Sequence, residues 1–101
     1  MAIISVVVLK PRPGGHGQTL EMMSTIKRLV EKAGGTFRAS IQAIGSASGT
    51  IGGISEYPGW DGLAKFRSDP EFRQFLDRAR GNTNPPYDVI DSAVYEELPV
   101  K

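Results

Sequence analysis

The stretch AIISVVVLK, Ala2 to Lys10, constrains the fold more than any other part of the chain. From Ile3 to Leu9 it is apolar at every position except Ser5, and it is dense in β-branched residues that favour an extended backbone. A strand with one solvated face alternates apolar and polar residues, whereas an unbroken apolar run reads as a strand covered on both faces. A chain of 101 residues is one domain and has few helices to spare as covers. If they lie on one face of a sheet, the other asks for an outside cover, and a second copy of the same chain is the simplest one.

The remaining elements follow from periodicity. PRPGGHG stops the first strand, and from Gln18 to Ala33 the apolar residues Leu20, Met23, Ile26, Leu29, Val30 and Ala33 recur at helical spacing until Gly34-Gly35. TFRASIQAI predicts a strand of period two, with Phe37, Ala39, Ile41 and Ala43 on one face and Arg38, Ser40 and Gln42 on the other. GSASG predicts a turn and TIGGISEY a third strand, so residues 36–57 read as a hairpin. After Pro58-Gly59 a helix begins at Trp60 and restarts at Asp69-Pro70, with Leu63, Phe66, Phe72, Phe75, Leu76 and Ala79 as its apolar stripe. GNTNPP is a loop, and YDVIDSAVYEEL closes the chain as a strand. The order β-α-β-β-α-β predicts an α+β, ferredoxin-like domain over residues 1–101, an antiparallel sheet with its helices on one face.

Composition narrows the function classes. Twelve basic and eleven acidic residues interleave along the chain, with no basic stripe of the kind that grips nucleic acid or a membrane surface. The third strand carries a single terminal tyrosine, not the stacked aromatics of an RNA-recognition motif. With no cysteine there is no disulfide, thiolate or Cys-ligated metal chemistry, which fits a cytoplasmic protein. The apolar start is too short to span a bilayer and lacks the basic leader of a signal peptide. One histidine cannot make a two-histidine metal site within one chain.

Candidate chemistry is sparse. His16, in a glycine-rich loop before the first helix, is the natural general acid or base near neutral pH, or an exposed loop residue. GGHGQ lacks the spacing and Lys-Ser/Thr pair of a phosphate loop. Arg38, Ser40 and Gln42 either meet a ligand or form a wet face. Gly52-Gly53 inside a strand signals a bulge or the floor of a ligand site. Trp60, at a helix entrance, is a candidate pocket wall, and the phenols of Tyr57, Tyr87 and Tyr95 are candidate donors.

SEYPGWDGLAKFRSDPEF, Ser55 to Phe72, resembles the strand-to-helix segment of antibiotic biosynthesis monooxygenase-like domains and their NIPSNAP and EthD-like relatives, and LKPRPGGHGQTLEMM is similar to the segment that opens their first helix. The resemblance implies a dimeric α+β barrel, a homodimer joined through its sheets, with a small, largely apolar ligand held near Trp60, Tyr57 and Phe66 and with Arg38 or His16 as a polar contact. The activity implied is cofactor-independent oxygenation of a small aromatic or polyketide-like compound, with His16 as catalytic base. Phe66 stands where many members carry a histidine, which favours the other expectation, a non-catalytic ligand-binding or structural homodimer.

Overall fold

The computed structural model describes residues 2–45, 49–81 and 84–100. Four strands, β1 (Ile3–Pro11), β2 (Thr36–Gln42), β3 (Ile51–Tyr57) and β4 (Tyr87–Glu96), form one antiparallel sheet in the order β2-β3-β1-β4. Three helices, α1 (His16–Lys32), α2 (Trp60–Ser68) and α3 (Pro70–Gly81), complete it. This is the α+β ferredoxin-like arrangement, and the run at the start of the chain is one of its two central strands. Residues 46–48 of the expected turn and 82–83 of the expected loop lie outside the described residues.

Side chains alternate across β1. Ile3 and Leu9 are almost wholly buried on the helical side with Met22, Met23, Ile26 and Val30 of α1. Ile4, Val6 and Val8 point to the opposite, open side and are only half-buried. Burying a side chain such as Leu9 contributes roughly 1.5–3 kcal/mol, so the helical side carries most of the fold's apolar stabilisation.

Helix α1 begins two residues before its expected start, because Gly15 serves as N-cap and its carbonyl accepts from the Thr19 amide at 2.9 Å and the Thr19 hydroxyl at 2.8 Å. His16 is therefore the first residue of the helix and not a loop residue. The far end closes in a Schellman motif: Gly34, at φ +86°, donates to Glu31, and Gly35 donates to Val30. Between α2 and α3, Asp69 is extended and its carboxylate accepts from the Glu71 amide at 2.8 Å, capping the helix that Pro70 opens. That amide, then the ion pair with Lys32, holds the Asp69 carboxyl below its usual range.

Two strand expectations are corrected. The irregularity does not fall at Gly52-Gly53, where the β1–β3 register is continuous; it falls in β2 between Phe37 and Ala39 and in the β1–β4 pairing between Val8 and Leu9. Arg38 is thus an inserted residue, and Ser40 and Gln42 pair with Gly53 and Ile51 of the helical side. The expected alternation with Phe37 ends at that bulge. Gly53 has a different purpose, since a Cβ there would meet Met23 Sδ at 3.0 Å, and its absence lets α1 approach the sheet.

Candidate ligand-binding site

Helix α3 leans on α2 and barely reaches the sheet, and none of its described residues is fully buried. The gap beneath it is a cavity of about 430 Å³ between the sheet and all three helices. Its floor is Ser5, Val7 and Leu9 of β1 with Gly53, Ser55 and Tyr57 of β3. Met22 and Ile26 of α1, Leu63 and Phe66 of α2, and Phe72 and Leu76 of α3 form its walls. Tyr87, Val89 and Ser92 of β4 line one side, and Arg67 and Arg73 bring the only charges among the described lining residues. An apolar pocket of this size with a few placed polar groups suits a small organic ligand.

Tyr57 is the most constrained residue of that wall. It is 1% exposed, and Gly35 and Gly62 both press on its ring, where added Cβ atoms would lie 2.5 and 2.8 Å from ring carbons. Phe66 packs beside it, with ring centroids 6.5 Å apart, and Phe72 follows at 4.5 Å from Phe66. The two glycines fix where the phenol can sit, yet its hydroxyl is buried with no hydrogen-bond partner among the described residues. Burial pushes the phenol up to about 12, against a smaller opposing pull from the charge of nearby Arg67.

That shift has a definite sign. A phenol held neutral by burial contributes stability that is fully present below its ordinary value of 10.0 and lost as pH rises through about 12. Urea unfolding at pH 9 and pH 11.5 is expected to show a larger alkaline loss in the native protein than in Tyr57→Phe. Equal losses would contradict the buried, neutral phenol.

The other residues singled out by sequence lie elsewhere. Trp60 is 55% exposed at the start of α2, where its indole donates to Glu96 at 3.3 Å. Arg38 sits on the β2 bulge, paired with Glu56 at 2.8 Å, beside a separate shallow cleft lined by Leu20, Met23 and Lys27. His16 is exposed and lines neither hollow. The fold thus brings together Tyr57 and Phe66 and leaves His16, Arg38 and Trp60 apart. Arg67, Arg73, Ser5 and Ser55 were not singled out by sequence. Among the described residues no cluster of His, Asp or Glu could hold a metal ion, and no helix is long and apolar enough to cross a membrane.

No family model matches the chain, and no curated protein is found similar to it in sequence. Solved structures are similar in fold. Rv0793 from Mycobacterium tuberculosis aligns with a TM-score of 0.69 at 13% identity, over 99% of this chain and 98% of that one. A NIPSNAP family protein of unknown function from Agrobacterium tumefaciens aligns at 0.65 and 12%, over 99% and 91%. A NIPSNAP-like domain protein from Burkholderia xenovorans aligns at 0.60 and 15%, over 98% and 85%. At these identities the likeness is one of fold: the chain shares the α+β ferredoxin-like fold of solved NIPSNAP-like proteins.

Proposed function

We propose that this protein binds a small, largely apolar organic molecule in the cavity beneath α3, as a homodimer joined through the open face of its sheet. The observation that carries the reading is the Tyr57 hydroxyl, buried in the cavity wall without a hydrogen-bond partner among the described residues. Such a group costs roughly 1–3 kcal/mol while it stays unpaired, and an acceptor on a ligand removes that cost. The hydroxyl is shielded in the free chain, so a ligand reaches it by displacing a side chain of the wall such as Phe66 or Arg67.

The dimer rests on the apolar open face. Ile4, Val6, Val8 and Ile54 lie there only half-buried, beside Ala93 and the exposed Tyr95, and a second copy would remove this surface from water. Sedimentation at micromolar concentration is expected to give a dimer for the native chain and a monomer for Val6→Lys; a native monomer would contradict the sheet-to-sheet assembly.

For the cavity, calorimetric titration with 2-naphthol tests the reading. Saturable binding is expected, with affinity falling about tenfold in Tyr57→Phe, as one lost hydrogen bond of roughly 1.4 kcal/mol implies. The same substitution is expected to stabilise the ligand-free protein by about 1 kcal/mol, because it removes the unpaired hydroxyl. Undiminished affinity in the variant would sink the role given to the phenol.

A second reading, cofactor-independent oxygenation, is favoured by one specific feature: a buried phenol O–H with no acceptor among the described residues can donate to a developing oxyanion. The described lining holds no histidine or carboxylate, so the substrate would enter as its own carbanion-like anion. Attack of that carbon on O2 gives a peroxide anion, which takes a proton from water to become the hydroperoxide; loss of the remaining C–H proton with cleavage of the O–O bond then releases water and leaves a carbonyl where the methylene was. Oxygen uptake with naphthoquinols, reduced in Tyr57→Phe and unchanged in His16→Ala, is the expected result; uptake that depends on His16 would point away from this cavity.

A further inference from the structure

Arg67 and Arg73 are the charged side chains of the cavity, one at the end of α2 and the other in the first turns of α3. The break at Asp69-Pro70 lets both contribute to the same hollow. Three other arginines of the chain are engaged: Arg12 with Asp88, Arg28 with Glu71 and Arg38 with Glu56. Among the described residues neither Arg67 nor Arg73 has a carboxylate partner, and no carboxylate lines the cavity.

Resting on the cavity reading above, we propose that the ligand is an organic anion, a carboxylate or similar acid group on an apolar body, with its charge met by Arg67 and Arg73 and its body lying against Leu63, Phe66 and Leu76. A planar guanidinium pairs with a carboxylate through two parallel hydrogen bonds, and on the edge of an apolar hollow that pairing is stronger than in open water. Arg67 and Arg73 are both exposed residues, so they attract a ligand from solution without the cost of a charge buried alone. Tyr57 supplies a donor deeper in the same wall. Arg67, Arg73 and Tyr57 all donate, and no described lining residue supplies the negative charge that a cationic ligand would need.

The test compares 2-naphthoate with its methyl ester, an apolar body of nearly equal shape with and without charge. Titration of the native protein at neutral pH is expected to show naphthoate binding about tenfold more tightly than the ester, a preference of the size one charge-assisted pair provides. Arg67→Gln and Arg73→Gln are each expected to reduce naphthoate affinity by roughly threefold or more while leaving the ester unchanged, and the double variant to abolish the preference. Added salt weakens naphthoate alone. Equal affinity of the two probes, or a preference that survives in the double variant, overturns the anion proposal and leaves the cavity reading standing. Failure of both probes to bind overturns the cavity reading and with it this proposal.

Discussion

Replacing Gly15 with alanine is expected to destabilise the protein by about 3 kcal/mol or more, at the upper end of what overpacking costs. A Cβ at this position would lie 2.0 Å from the Pro86 carbonyl oxygen, 2.9 Å from its carbon and 3.1 Å from the Arg12 carbonyl oxygen. All three are backbone atoms, so no side chain can rotate out of the way. They also belong to the joint that ties β4 to the end of β1, where the Arg12 amide donates to Pro86 at 2.8 Å and the Arg12 guanidinium holds Asp88 at 2.7 Å. The clash therefore loosens the first turn of α1 and the start of β4 together. Gly17, two residues on in the helix, has nothing within 4 Å of an added Cβ, so Gly17→Ala should instead gain roughly 0.5–1 kcal/mol from helix propensity. Urea denaturation of the pair is the check, and equal effects of the two substitutions would mean that the contact with Pro86 is not as described.

Gly35→Ala should cost about 2–3 kcal/mol, because its Cβ would lie 2.5 and 2.6 Å from two carbons of the Tyr57 ring and 3.0 Å from Val30. On its own this would be relieved by a small slide of the ring, but Gly62 presses on the same residue from α2, at 2.8 Å from its own added Cβ. The ring has to tilt, and the hydroxyl tilts with it. The loss should therefore be coupled to the ring: in a Tyr57→Val background, with the ring gone, Gly35→Ala should cost less than half as much as it does alone. Denaturation of the four proteins of that cycle measures the coupling. A cost unchanged by removal of the ring would place the strain elsewhere, on Val30 or the end of α1.

These two glycines show how far the sequence could be read. Strand and helix order was legible because the first strand is an unbroken β-branched run, the helices and the second strand each have one dominant period, and the residues that end segments, Gly34-Gly35, Pro58-Gly59 and Asp69-Pro70, act through local backbone preference. The β2 bulge was not legible, since TFRASIQ alternates cleanly with no inserted residue, and only the pairing with β3 reveals the insertion at Arg38. Tyr57 and Phe66 could be named because both lie in the Ser55–Phe72 segment that carries the family resemblance. Arg67 and Arg73 could not, because arginine on the polar side of a helical stripe reads as a solvated face until the angle between two helices aims it at a hollow. Trp60 looked like a pocket wall, but at the start of α2 its side chain is exposed and bonded to Glu96. The signal open to a reader of the sequence was the spacing of glycines around one aromatic: Gly35 before the hairpin and Gly62 after it both leave room for the Tyr57 ring.

In the proposed binding mode a ligand enters the hollow beneath α3, displaces a side chain of the wall and accepts a hydrogen bond from the Tyr57 hydroxyl. Chemical-shift mapping of the labelled protein during titration with 2-naphthol tests this most directly. Saturating shifts confined to cavity residues such as Val7, Leu63, Phe66 and Leu76, with the Tyr57 ring among the largest, are the predicted result. Shifts centred on Arg38 and Lys27, on His16 or on Trp60, with the cavity residues unmoved, would contradict it.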